Sequence, residues 1–113
     1  MCGRERAAIE AAAKQIAKDT GAEAVGIDAD VSTAEGCEAF VATALSRFGA
    51  VDCVVTNAGG PKPGRFDELD DEAWLRAVDL TLLSAVRLTR LALPAMRRGG
   101  GGSLTYMTSS TVR

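Results

Sequence analysis

Residues 51–60 read Val-Asp-Cys-Val-Val-Thr-Asn-Ala-Gly-Gly, and this stretch decides the fold. Its first part, residues 51–56, is a short β-branched run without alternation, typical of a strand buried on both faces of a parallel sheet. The run stops at Asn57-Ala58-Gly59-Gly60, where glycine tolerates backbone angles that other residues avoid. Ligands of open α/β sheets bind at the carboxyl ends of such strands. The stretch therefore predicts a ligand loop, with an ordinary turn as the alternative.

The segments on either side of this strand alternate between strand and helix patterns. Helical periodicity covers residues 5–20, and a second apolar stripe follows the sequence Ser32-Thr33-Ala34-Glu35, which reads as a capping box. Strand patterns cover residues 24–31 and 103–110. Helix-length connections between strands imply parallel pairing, so we expect an α/β fold with a doubly wound parallel sheet.

Composition excludes several classes of function. The chain has 113 residues, a net charge of −2 and no histidine, so it has no basic field for nucleic acid and no histidine metal site. Cys2, Cys37 and Cys53 form no C-x-x-C pair, which argues against zinc and against a disulfide framework. We expect three small core cysteines, no metal, no nucleic acid, no membrane contact and a cytoplasmic location.

One long helix is predicted over residues 71–98, with Asp70 as its cap and Pro94 loosening its last turns. Apolar side chains cover more than one of its faces. We therefore expect this helix to be buried on two faces, one against a sheet and the other against a second surface.

Four short motifs, in this order, give the chain a resemblance to the short-chain dehydrogenase/reductase family, near its 3-oxoacyl-carrier-protein reductase-like branch. They are Cys2-Gly3-Arg4, Asp30-Val31, Asn57-Ala58-Gly59 and Met107-Thr108-Ser109. The resemblance covers residues 1–113 and implies one partial, Rossmann-like, NAD(P)-binding domain. It also implies pairing of subunits into a homo-oligomer through helix 71–98.

The resemblance implies a cofactor site with NADP or NAD as its ligand. Asp30 would accept a hydrogen bond from the adenine amino group, and Val31 would line the slot of that ring. Arg4 stands where a guanidinium can pair with a 2′-phosphate, which favours NADP slightly. The alternatives are a carboxylate that leads into the next helix for Asp30 and a solvated side chain for Arg4.

The resemblance also implies the reaction site. Asn57 would brace the strand, and Ala58-Gly59 would let the backbone approach the cofactor ribose. Ser109 would hold the carbonyl oxygen of the substrate, with Ser110 in that role if the register differs by one residue. The alternative for Ser109 is a hydroxyl that caps the local backbone.

The sequence departs from the family pattern at several points. The glycine-rich loop of the first strand and the Tyr-x-x-x-Lys pair are not found, and Thr81 stands where the family has a helix asparagine. Thr56 stands where the family's Asn-Asn-Ala-Gly motif has its first asparagine. We therefore expect a sheet without its first strand, truncated at both ends, that neither binds a dinucleotide tightly nor reduces a carbonyl by itself.

Two functions of different classes follow from these observations. The first is an NAD(P)-dependent oxidoreductase that acts on a small carbonyl or alcohol substrate, which the sequence does not name. The second is a non-catalytic piece whose helix 71–98 pairs subunits. A flavodoxin-like or response-regulator domain is a third and weaker hypothesis, because the chain has no phosphate loop and no acidic cluster at the end of an early strand.

Overall fold

The computed structural model describes residues 1–109, and the chain divides into two compact units, residues 1–30 and the part that begins at Val31. Strands and helices alternate in both units, and every strand pair is parallel. Within these described residues the strands form two sheets of two strands each, one in each unit. Parallel strands joined through helices confirm the predicted α/β class.

The first unit is one strand–helix–strand element. Strand β1 (Cys2–Gly3) pairs with β2 (Ile27–Asp28), and α1 (Arg6–Thr20) connects them. Helix α1 ends at Gly21, whose φ of 71° lets its N–H reach the Ala17 carbonyl. The predicted strand over residues 24–31 is wrong in length, because the ladder with the two-residue β1 extends over Ile27–Asp28 alone.

The second unit begins with helix α2 (Ala34–Phe48), and its cap differs from the predicted one. Thr33, not Ser32, is the N-cap, since its extended backbone brings its Oγ1 within 3.0 Å of the Gly36 N–H. This shift places Glu35 at the second helical position, so the predicted capping box does not form.

The sheet of the second unit pairs β3 (Cys53–Thr56) with β4 (Ser103–Tyr106). One face of β3 is buried, and Val54 on that face joins a core formed by α2 and by the long helix described next. Cys53 and Val55 point to the other face and are exposed in this unit. The prediction of a strand buried on both faces is therefore wrong here, because both helices of the core pack on the same side. The prediction that Cys53 is a core residue is wrong for the same reason. The same prediction for Cys37 is confirmed, because Cys37 is fully buried.

The long helix extends over the predicted residues 71–98, in three parts. Helix α3 (Asp71–Val78) begins at Asp70, whose carboxylate accepts the Ala73 N–H at 2.8 Å. A wide π-type turn (Asp79–Leu83) follows, and α4 (Ser84–Arg98) completes the helix. Pro94 lies inside α4 without ending it, so the departure from α-helical geometry comes earlier than the sequence predicts.

The buried face of α4 supplies most of the core. Leu88, Ala92 and Met96 pack with residues of α2 and with Val54. No helix within residues 1–109 combines the length and the apolar character that crossing a membrane requires.

Candidate functional site

A cleft of about 480 Å³ opens at the carboxyl ends of β3 and β4. Three segments form it: the loop after β3, the segment after β4, and the wide turn of the long helix. This is the position at which the sequence predicts a ligand loop. The residues that line the cleft are Thr56, Asn57, Ala58, Gly59, Gly60, Pro61, Thr81, Ser84, Ala85, Met107, Thr108 and Ser109.

The loop after β3 presents its backbone to the cleft. Asn57 and Gly59 are exposed, and Ala58 is half-buried. A Cβ placed on Gly59 or Gly60 would meet nothing within 4 Å, so the backbone there is bare. A ligand can therefore approach this loop more closely than it could approach a loop with side chains.

The wide turn and the first residue of α4 each supply one hydroxyl group to the cleft. Thr81 Oγ1 donates to the Ala77 carbonyl oxygen at 2.7 Å, and Ser84 Oγ donates to the Leu80 carbonyl oxygen at 2.5 Å. Ser84 is 3% exposed, and its N–H reaches back five residues to the Asp79 carbonyl. Because each hydroxyl proton is donated to a backbone carbonyl, each hydroxyl oxygen keeps the capacity to accept a further hydrogen bond.

Ser84 was not predicted as a site residue. The signal that could have found it is its position three residues after Thr81, since residues at this spacing share a helix face. Thr81 itself lines the cleft.

Ser109 is exposed and lines the same cleft. The segment that leads to it continues the pairing of the sheet, because the Met107 N–H donates to the Thr56 carbonyl at 3.0 Å. The structure thus gathers Asn57, Ala58, Gly59 and Ser109 in one cleft. Ser110 lies outside the described residues.

The remaining predicted cofactor residues lie elsewhere. Arg4 is exposed in the segment between β1 and α1, and Asp30 is half-buried at the end of the first unit. Val31 begins the second unit, where its carbonyl oxygen accepts the Cys37 thiol at 3.2 Å. Val31 does not belong to the cleft lining.

The Cys2 thiol has a perturbed proton affinity. Burial in the first unit disfavours the thiolate and raises the pKa of Cys2 above its ordinary value. A thiol of this kind is a weaker nucleophile at neutral pH than an exposed cysteine.

Comparison with known proteins identifies the class. The family model described as "short chain dehydrogenase" matches residues 1–113, and the chain belongs to this family. A candidate ketoacyl reductase of Streptomyces coelicolor is 36% identical over 112 residues, which is 97% of this chain and 42% of that protein.

Two solved structures have the same fold. L-sorbose reductase from Gluconobacter frateurii, complexed with NADPH and L-sorbose, is 33% identical with a TM-score of 0.87, over 93% of this chain and 40% of that one. A 7α-hydroxysteroid dehydrogenase complexed with NADH and 7-oxo glycochenodeoxycholic acid is 30% identical with a TM-score of 0.88, over 96% and 42%. The Rossmann-like fold prediction is thereby confirmed. The chain spans about two fifths of the length of these three proteins.

Proposed function

We propose that this chain supplies the cofactor-binding and carbonyl-binding part of an NAD(P)-dependent oxidoreductase. One observation carries the proposal: the strand-end cleft gathers Asn57, Ala58 and Gly59 with Ser109. The family relationship and the NADPH- and NADH-bound solved structures of similar fold support it. The proposed substrate is a small molecule with a carbonyl or alcohol carbon. Within the family we assign the chain to the 3-oxoacyl-carrier-protein reductase-like branch, and the similarity to the Streptomyces relative supports this assignment.

The residues of the cleft fit a nicotinamide nucleotide. The bare backbone at Gly59 leaves room for a ribose, and the acceptor oxygens of Thr81 and Ser84 suit ligand groups that donate hydrogen bonds. When bound, the nicotinamide would supply hydride chemistry that no amino-acid side chain provides. Asn57 would brace the end of β3, and Ser109 would orient a carbonyl oxygen and stabilise charge that develops on it.

The other three predicted residues have proposed roles of their own toward the nucleotide. Asp30 would accept a hydrogen bond from the adenine amino group, and Val31 would contact the ring. The exposed guanidinium of Arg4 would pair with a 2′-phosphate, which favours NADP over NAD. Within residues 1–109, Cys2, Cys37 and Cys53 form no disulfide, and this supports the proposal of a reducing, cytoplasmic setting.

A cofactor titration tests this function. The chain is titrated with NADPH and NADH by calorimetry, beside a chimera in which residues 1–113 replace the matching segment of the Streptomyces relative. We expect the chimera to bind NADPH, the wild-type chain alone to bind it far more weakly, and Ser109→Ala in the chimera to keep binding while losing turnover. A folded chimera that binds neither nucleotide would contradict the proposal.

A second function is favoured by a separate apolar cleft on the long helix. This cleft, of about 590 Å³, is bordered by Leu82 and Val86, which are 57% and 46% exposed, and by Tyr106. Arg90 and Arg97 stand on its rim. We propose a second copy of this chain as its occupant, in an antiparallel helix pair.

Charge along the helix favours that arrangement. The helix begins with the acidic residues Asp70, Asp71 and Glu72 and ends with Arg97 and Arg98. Antiparallel pairing sets the acidic start of each copy beside the basic end of the other.

Light scattering after size-exclusion chromatography tests the pairing. We expect a dimer that Val86→Asp converts to monomer, while Ala42→Asp on the exposed side of α2 leaves it intact. A monomeric wild-type chain at high concentration would contradict this proposal and leave the oxidoreductase proposal standing.

A further inference from the structure

Arg87 connects two distant parts of the second unit. Its side chain is only 19% exposed, although it carries a full charge. Nη1 donates to the Ser32 carbonyl oxygen at 2.8 Å, and Nη2 donates to Asp79 Oδ1 at 2.8 Å. One guanidinium therefore holds a backbone group and a carboxylate that lie 47 positions apart in the sequence, at residues 32 and 79.

Each partner of Arg87 belongs to a segment with a place in the proposed site. Asp79 is the first residue of the wide turn, which contributes Thr81 to the cleft and is followed directly by the cleft residue Ser84. Ser32 lies directly between Val31, the proposed adenine contact, and Thr33, the N-cap of α2.

We propose that Arg87 is a positioning residue that fixes the wide turn 79–83 and the segment 31–33 relative to each other. The inference deepens the proposed function, on which the roles of the two segments rest. The guanidinium suits this task because its planar fork donates from two nitrogens in fixed directions. A lysine ammonium at the same position is a single point charge and satisfies one partner well.

An ordinary surface ion pair would behave differently. Exposed pairs contribute little, since solvent screens them and both side chains must be ordered. The carboxylate of Asp79 is 38% exposed and is screened in part, but the hydrogen bond to Ser32 is made by the mostly covered guanidinium. Loss of Arg87 leaves the Ser32 carbonyl without this donor and the wide turn without its ion pair, so both segments open more readily.

Amide hydrogen exchange of the 113-residue chain without any nucleotide tests the proposal. In Arg87→Gln we expect exchange about tenfold faster in segments 32–37 and 79–84, and changed by less than about twofold in segment 92–96 of the core. Arg47→Gln removes the same charge from an exposed position in the last turn of α2, outside both clefts, and serves as the control, with no change expected in either segment.

The conservative variant separates positioning from general stability. Arg87→Lys keeps the attraction to Asp79, so we expect protection of segment 79–84 to return while segment 32–37 stays fast. Equal acceleration in all segments, or equal rescue of both segments by lysine, would overturn the proposal. Since the measurement uses no nucleotide, failure of the chain or chimera to bind NADPH bears on the proposed function and not on Arg87.

Discussion

Substitution of Gly59 by alanine separates folding from ligand binding in the strand-end cleft. A Cβ at Gly59 meets nothing within 4 Å, and its φ is not positive, so the native backbone accepts alanine. Alanine also restricts the unfolded chain more than glycine does, which stabilises the native state by about 0.4–1 kcal/mol at a compatible site. The Gly59→Ala chain should therefore unfold at the wild-type temperature or slightly above it.

The same methyl group occupies the space through which a cofactor ribose would approach the loop. Forcing a methyl into a filled space costs about 1–3 kcal/mol. Since 1.4 kcal/mol is a factor of ten in affinity, the dissociation constant for NADPH should rise roughly 5- to 150-fold. The expected signature is a protein that is no less stable yet binds more weakly.

Circular dichroism melting and calorimetric titration of the chimera measure the two effects on one sample. Gly99→Ala is the matched control, because its Cβ would make ordinary contacts 3.6 Å from carbonyl oxygens of its own helix end, and Gly99 does not line the cleft. NADPH affinity that is unchanged in Gly59→Ala would refute the assignment of this loop to the cofactor.

Two further predictions concern the rest of the molecule. Gly102→Ala should destabilise the chain by about 1–3 kcal/mol, because its Cβ would lie 2.7 Å from Met96 Cγ and 2.9 Å from the Asp52 carbonyl oxygen. Urea unfolding measures this loss, and a variant that unfolds at the same urea concentration as the wild type would contradict the close packing around Gly102. Iodoacetamide at about pH 8 should modify the exposed Cys53 before Cys2, because burial raises the pKa of the Cys2 thiol. Equal alkylation rates of Cys2 and Cys53 would contradict the burial of Cys2. Because the pKa of Cys2 is raised, the folded state holds the thiol proton more tightly than the unfolded state does. The stability that this proton contributes to the folded state is therefore present below the ordinary thiol pKa and is lost as the pH rises through the raised pKa.

Local sequence signals predicted the elements that depend on near neighbours. The start of the long helix after Asp70 followed from capping chemistry, which acts within a few residues. The cap of α2 is the exception: Ser32 and Thr33 both offer an N-cap hydroxyl, and the N-cap in the structure is Thr33, whose backbone is extended.

Features that depend on distant contacts were not predictable in the same way. The apolar run 51–56 suits burial on both faces, but in the second unit α2 and α4 cover only the side of Val54. The wide turn at Asp79–Leu83 has no local sequence marker, although it contributes Thr81 to the cleft and is followed directly by Ser84, which also lines it.

The sequence by itself determined the alternation of strands and helices, the parallel pairing and the position of the loop Asn57-Ala58-Gly59, because periodicity and turn chemistry are local. Tertiary structure alone decided that this loop meets Ser109, Thr81 and Ser84 in one cleft. It also decided that Arg87 reaches Ser32 across the unit. Such contacts join residues far apart in the chain, and their geometry is set by how the helices pack on the sheet.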